Sequence, residues 1–242
     1  MGKVVIVTGA AGWLGSAVAK CFGDAGDKVL VSDINKTGLE EVAAAINKGS
    51  GRAIGYTANT RNYEEVKAMV EEAIRLWGRI DVVACVAGGS WHRLRKNEKN
   101  MLITEYSSED WDLVVESNLK GTFHCIKAVA GPMIAQKDGH IIIMGSGTAF
   151  RGQVRGAAYA ASKAGILGLM KSAALELGEH NIKVNVVAPG RQPHPGEAGD
   201  YSQGTALGRT NNPSEVAAFF VRLSRMNNVS GQIFNLDSRI LF

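Results

Sequence analysis

Short apolar runs recur along this 242-residue chain, and stretches with helical spacing separate them. Val4-Val5-Ile6-Val7, Val29-Leu30-Val31 and Ile141-Ile142-Ile143-Met144 are continuous and largely β-branched, the pattern of strands buried on both faces rather than one. The pattern predicts strands at 3–8, 28–33, 52–57, 80–86, 139–145, 183–188 and 232–236. Helices are predicted in the gaps, at about 14–25, 36–48, 62–77, 107–130, 156–178 and 213–225. Strict alternation of β and α elements implies a parallel sheet covered by helices on both faces, with right-handed crossovers. The expected fold is therefore one α/β domain over residues 1–242, a doubly wound sheet of about seven strands. Ligands of such sheets bind beyond the carboxyl ends of the strands, where Gly9, Asp33, Gly88, Ser146 and Pro189 all fall.

Two segments break the alternation, 89–106 and 190–212, and both leave from that edge. Long loops in compact domains usually serve binding. The first carries Trp91, Arg93, Arg95, Lys96 and Lys99, and the second carries Arg191, Pro193, His194 and Pro195; Arg151 and Arg155 lie on a neighbouring loop. Two readings stay open, a solvated basic rim or a site for an anionic substrate made by Trp91, Arg93, Arg95, Arg151, Arg191 and His194.

Composition narrows the class. Apolar residues make up 45% and charged residues 21%, as in an ordinary soluble globule with a substantial core. No apolar run approaches a membrane span, and the first strand follows the start directly, with no signal peptide pattern. A net charge of +4 is too small and dispersed to argue for nucleic acid. Cys21, Cys85 and Cys125 lie in apolar surroundings without paired or metal-ligand spacing, so buried reduced thiols and a cytoplasmic location are expected. The histidines show no metal-ligand spacing, and no metal is expected.

Chemistry is concentrated at two places. The first strand runs into Thr8-Gly9-Ala10-Ala11-Gly12-Trp13-Leu14-Gly15, after which a helix begins. Strand, glycine-rich turn and helix start form a dinucleotide-binding arrangement, because glycines admit the pyrophosphate and the helix start offers unpaired N–H groups. The second strand ends in Asp33, where a carboxylate would meet the adenosine ribose, which favours NAD over NADP. The second place is Tyr159 and Lys163, an i, i+4 pair on one helix face, with Ser146 at the end of an earlier strand. An ammonium beside a phenol is expected to draw the phenol's pKa down from near 10 toward the working range of a general acid/base.

With these motifs the chain resembles the short-chain dehydrogenase/reductase family over essentially its whole length, most closely the 3-oxoacyl-carrier-protein reductase type. Ser146, Tyr159 and Lys163 match the family's active site, Asn118 its catalytic asparagine, and Pro189-Gly190 its post-strand turn. The resemblance implies cofactor contacts at Gly9, Gly12, Trp13, Leu14, Gly15, Asp33, Asn59, Thr60, Ala87, Gly88, Tyr159, Lys163, Pro189 and Gly190. There are departures. Trp13 stands where glycine is usual, giving the glycine spacing of the family's extended branch, and its ring is expected to pack away from the pyrophosphate. Cys85-Val86-Ala87-Gly88 replaces Asn-Asn-Ala-Gly, Asn59 replaces an acid, and Asp237-Ser238-Arg239 replaces Asp-Gly-Gly.

The resemblance implies an NAD(H)-dependent oxidoreductase interconverting a secondary alcohol and a ketone. Tyr159 would act as general acid/base, Ser146 would hold the substrate oxygen, and Lys163 would bind the nicotinamide ribose and lower the phenol pKa. Asn118 would support a water linking Lys163 to solvent. An NAD-retaining epimerase or dehydratase, or a non-catalytic cofactor sensor, remain alternatives. The partners expected are a small carbonyl or alcohol substrate and further copies of the chain, as a dimer or tetramer. In the resembling family the helices at 107–130 and 156–178 form the main two-fold interface. Here they carry apolar residues on more than one face: Val114, Val115, Leu119 and Phe123, and Ile166, Leu167, Leu169 and Met170.

Overall fold

The structure, a computed structural model, describes residues 2–95, 101–192 and 204–239. Its strands are β1 (Val4–Thr8), β2 (Lys28–Asp33), β3 (Arg52–Thr57), β4 (Val82–Cys85), β5 (Gly139–Met144), β6 (Ile182–Pro189) and β7 (Ile233–Leu236). They form one seven-stranded sheet in the order β3-β2-β1-β4-β5-β6-β7, and every pair is parallel. All seven strands begin and end close to the places that the apolar runs predict. The order reverses between β1 and β4, where chain connections diverge and a crevice opens.

Strand periodicity assigns the two faces. Val5 and Val7 of β1 point into one core and Ile6 into the other. The first core lies under α1 (Trp13–Asp24), α2 (Lys36–Asn47) and α9 (Pro213–Leu223), with Phe22, Leu39, Ile46 and Phe220 fully buried. The second lies under α3 (Tyr63–Trp77), α6 (Gly121–Gln136) and α8 (Ala157–Gly178), where Met69, Met133, Ile166 and Met170 are fully buried. Each such side chain contributes on the order of 1.5–3 kcal/mol. Asn35, Asn62 and Asn212 cap α2, α3 and α9 through their side chains. The start of α1 has no such cap; Gly12 sits there, leaving its N–H groups turned to the crevice.

Three features differ from the expected elements. The predicted 107–130 helix is α5 (Ser108–Val115), a π-turn over Glu116–Lys120, and α6. It also continues past Pro132, whose missing N–H costs one helical bond, because Met133 is fully buried and Ile134 packs on the same core. The predicted loops hold short helical turns, α4 (Trp91–Leu94) and a 3-10 turn at Ile103–Glu105, while α7 (Thr148–Arg151) follows β5. Residues 96–100 and 193–203, with Lys96, Lys99, Pro193, His194 and Pro195, lie outside the described residues.

One buried titratable group of the scaffold has a measurable consequence. His140 in β5 is 1% exposed; its Nε2 lies 2.9 Å from Asn185 Nδ2, and its Nδ1 has no hydrogen-bond partner among the described residues. Burial, with Lys183 and Lys3 adding repulsion, pushes its pKa down to about 3. The folded value lies below the unfolded one near 6.5, so between those values the unfolded chain binds more protons and acid favours unfolding. The contribution is fully present above pH 6.5 and is lost as the pH falls. Urea unfolding at pH 7 and pH 5 should show the wild type losing ~2 kcal/mol more than His140→Gln. Equal losses in the two proteins would overturn the assignment of a neutral His140.

Candidate active site

The crevice at the carboxyl edge of the sheet is a cleft of about 1450 Å³. Its floor at one end is the glycine-rich turn. Gly9 has φ +68°, and a Cβ there would lie 2.7 Å from the backbone of Ala87. A Cβ on Gly15 would fall 2.0 Å from Gly9 O, so neither position accepts a side chain. Gly12 N donates to Gly9 O (3.1 Å) and Ser16 N to Gly12 O (2.8 Å), which winds the turn into α1. Trp13 does not pack away from the cleft: it is half-buried and lines it beside Leu14. As the first residue of α1 its side chain leans back toward the turn, as helical side chains do.

The ribose position follows from β2. Asp33 Oδ2 accepts from Ala11 N (3.1 Å) and Oδ1 from Asn35 N (3.0 Å), so the carboxylate is fixed with lone pairs still facing the cleft. Asn59 lines the wall beyond, its Oδ1 accepting from Arg61 N at 3.0 Å. Thr60 closes the same wall and is 8% exposed. Ala87 and Gly88 form the floor past β4; the N–H groups of Val86 and Ala87 donate to Thr8 Oγ1, each at 3.2 Å. Pro189 ends β6 and Gly190 follows it, its N–H donating to Leu236 O at 2.7 Å. The glycine cradle, the uncapped start of α1 and the free side of Asp33 fit a dinucleotide.

Ser146, Tyr159 and Lys163 line the middle of the cleft together. Lys163, 4% exposed, donates to Met144 O at 2.8 Å, and its Nζ lies 5.7 Å from the centre of the Tyr159 ring. That bond uses one of three ammonium hydrogens. Burial pushes its pKa down to about 8. Tyr159 differs from the sequence expectation: burial pushes the phenol above its ordinary value, against the hydrogen bond from Ser146 and the charge of Arg93. Desolvation of the phenolate outweighs the nearby cations in the free protein.

Asn118 is fully buried in the π-turn. Its Nδ2 donates to Gly89 O and Val114 O, each at 2.8 Å, and its Oδ1 accepts from Gly89 N at 3.1 Å. Both amide hydrogens are thereby used within the protein, and the side chain clamps the loop after β4. A π-turn redirects side chains without ending a helix and is common at functional sites.

The far end of the cleft divides the expected substrate residues. Arg93, Arg151 and Arg191 line it. Trp91 does not; it is 4% exposed and packs with Val114 and Ala158, where an indole gains more from burial than from the cleft. Arg95 stacks on Trp91 at 5.0 Å and pairs with Asp110 at 3.5 Å, so its charge is spent away from the cleft. His194 lies outside the described residues. Sequence reasoning missed Arg239, which lines the cleft beside Arg151; its only signal was the replaced glycine at that position.

Three comparisons bear on this geometry. Residues 3–192 match the short chain dehydrogenase family. The 3-oxoacyl-acyl-carrier-protein reductase of Thermotoga maritima is 33% identical over 99% of this chain and 98% of its own. The (2S)-[(R)-hydroxy(phenyl)methyl]succinyl-CoA dehydrogenase subunit of Thauera aromatica is 35% identical over 78% of this chain and 72% of its own. Among solved structures, NAD+-bound xylitol dehydrogenase superposes with a TM-score of 0.90 at 26% identity, covering 98% of both chains. The parallel sheet, the glycine cradle and the Ser146–Tyr159–Lys163 group thus meet a family match over most of the sequence, and the chain belongs to the short-chain dehydrogenase family of oxidoreductases acting on CH–OH and C=O groups.

Proposed function

We propose that the chain is an NAD(H)-dependent reductase of a ketone, running in reverse as a secondary-alcohol dehydrogenase. The observation that carries this reading is the meeting of Ser146, Tyr159 and the buried Lys163 in one cleft whose other end fits a dinucleotide. A bound nicotinamide supplies or accepts the hydride. Ser146 holds the substrate oxygen against Tyr159, and Tyr159 gives that oxygen its proton. A phenol pushed up by burial keeps its proton at neutral pH, which suits donation and hence reduction. Lys163 has ammonium hydrogens left for the ribose hydroxyls, and its charge stabilises the phenolate that donation leaves. Asn118 holds the loop at Gly89 through both its amide hydrogens, so a water linking Lys163 to solvent would be held by its oxygen lone pairs rather than by its N–H groups.

Replacing Tyr159 with Phe removes a proton and little volume. The variant should lose at least 10²–10⁴ of the rate. Its affinity for the cofactor, followed by fluorescence titration, should stay within about threefold. Retention of a tenth of wild-type activity would show that Tyr159 is not the acid/base.

NAD is the favoured cofactor, because the fixed carboxylate of Asp33 accepts from ribose hydroxyls and repels a 2′-phosphate. Arg61, the cation of the nearby wall, is spent on Glu116 at 2.7 Å. Wild type should prefer NADH over NADPH by at least tenfold in kcat/KM, and Asp33→Ala should narrow that gap from the NADH side. A preference of the wild type for NADPH would sink this reading.

The relatives act on quite different molecules: an acyl-carrier thioester, a substituted succinyl-CoA and, for the solved structure, xylitol, by their names. The substrate class therefore has to come from this chain's own cleft. A small molecule remains the expected substrate, with no role for nucleic acid. The unpaired thiols Cys21, Cys85 and Cys125 suit the cytoplasm, and no helix among the described residues is long and apolar enough to cross a membrane.

Self-association is the remaining part of the reading. Val114, Ile166 and Met170 are fully buried in the protomer, so the outward apolar surface is narrower than the sequence suggests. Phe123 on α6 stays 44% exposed and Leu175 on α8 84% exposed, and small residues Ala161, Ala164 and Gly168 flatten α8 between neighbouring turns. We assign these faces to a two-fold contact between copies. Light scattering at micromolar concentration should give a dimer or tetramer mass, and Phe123→Glu should shift it toward the monomer. A monomeric wild type would refute the assignment.

A further inference from the structure

Besides Arg93, three arginines from three separate segments converge at the far end of the cleft. Arg151 closes α7 just after Ser146, Arg191 follows β6, and Arg239 follows β7. Among the described residues lining the cleft the sole carboxylate is Asp33, at the opposite end. Arg239 is not a loose surface cation: its side chain is 13% exposed, and its Nε lies 3.0 and 2.9 Å from the two oxygens of Asp237, itself 3% exposed. That fork uses Nε and one face of Nη2 and leaves the Nη1 hydrogens for another acceptor. The pair abuts Gly147, where a Cβ would come within 3.3 Å of Arg239 Nη2. Gly147 follows Ser146 in the chain, so this guanidinium is close to where the substrate oxygen is to be held. Gln192, also lining the cleft, carries a buried Nε2 with no hydrogen-bond partner among the described residues.

We propose that Arg239 and Arg151 bind a free carboxylate of the substrate itself, and that the enzyme acts on a short keto or hydroxy acid rather than on an acyl thioester. This rests on the reductase reading of the same cleft. A simple 3-oxoacyl thioester is neutral around its reacting carbonyl, and the phosphates of its carrier are many bonds away, so guanidiniums beside Ser146 would face no charge; a succinyl-type thioester differs only because it keeps a free carboxylate of its own. A keto acid carries its anion a few bonds from the carbonyl, within reach of this group. The planar fork of arginine matches a carboxylate through two parallel hydrogen bonds, and Asp237 acts as the positioning residue that fixes the fork. The electrostatics agree: burial, then the charge of Arg239 and to a smaller extent that of Arg191, push the Arg151 pKa below its ordinary value although the Asp237 carboxylate pulls it the other way, and a further anion would act in the same sense as Asp237.

The test pairs charged molecules with neutral counterparts, the butyrate and butyramide pair being closely isosteric. Acetoacetate and methyl acetoacetate are compared as substrates, and butyrate and butyramide as unreactive ligands of the NADH-loaded protein by calorimetry. The wild type should bind butyrate at least tenfold more tightly than butyramide. Arg151→Gln should raise KM for acetoacetate tenfold or more with kcat within about threefold, and leave both constants for the methyl ester nearly unchanged. Arg239→Gln should do the same; should burial of an unpaired Asp237 unfold it, the double variant Arg239→Gln, Asp237→Asn removes that charge and should show the same loss. Equal affinity for butyrate and butyramide, or an unchanged KM for acetoacetate in Arg151→Gln, overturns the proposal. Failure of the reductase reading looks different: butyrate binds through the arginines, yet neither acetoacetate nor its ester is reduced.

Discussion

A side-chain carbon on Gly9 would lie 2.7 Å from the backbone of Ala87, and no rotamer change could relieve that contact. The turn after β1 and the loop after β4 are therefore in backbone contact at the point where strand order reverses. Thr8 reinforces the contact by accepting from the N–H groups of Val86 and Ala87. The glycine-rich end of the cleft takes its position from this seam. It sets the start of α1, it sets the height of Gly88 and Gly89, and through Gly89 it sets Asn118 and the π-turn on which that side chain rides. A ligand lying across the switch point thus meets backbone on one side and the α8 side chains on the other.

Burial acts in opposite directions on the two titratable groups of the centre. It lowers the pKa of Lys163 and raises that of Tyr159, because in each it disfavours the charged form. The free site is consequently poised with a neutral phenol and an ammonium that is easier to deprotonate than one in water. Neither group is adjusted to the other in the simple sense that an i, i+4 pair suggests. The ammonium is held by the Met144 carbonyl and lies 5.7 Å from the centre of the phenol ring. In the free protein nothing near the phenol outweighs its desolvation, so a phenolate there would need charge that the free cleft does not supply.

The sheet was legible because its strands are buried on both faces, so each appears as an unbroken apolar run such as Ile141-Ile142-Ile143. The glycine turn, Asp33 and the Tyr159–Lys163 spacing were legible because they are local in sequence. What escaped was tertiary. A π-turn leaves no mark in composition, so the helix around Asn118 read as continuous. Trp91 and Arg95 looked like rim residues by their place in a basic loop, but Val114, Ala158 and Asp110 arrive from distant segments and draw them inward. The pKa of Tyr159 was misjudged for a related reason: a neighbouring charge can be counted from spacing, whereas desolvation depends on everything packed around the phenol.

The altered residues near the end of the chain make sense together rather than singly. Asp237 sits between two glycines: a Cβ on Gly190 would be 2.6 Å from its Oδ1, and one on Gly147 would be 3.0 Å from its Oδ2. The carboxylate is thus wedged between the loops that follow β5 and β6, and it can fit only because both positions lack side chains. Once buried there at 3% exposure it needs a cation, since an unpaired carboxylate in such a place is costly. Arg239 meets that need two residues later, and its partly buried guanidinium then has nowhere to reach except the cleft wall. A glycine at 239 would leave Asp237 without this partner and the wall without its charge. The same departure therefore fixes the loop packing around Asp237 and puts a guanidinium on the cleft wall next to Gly147.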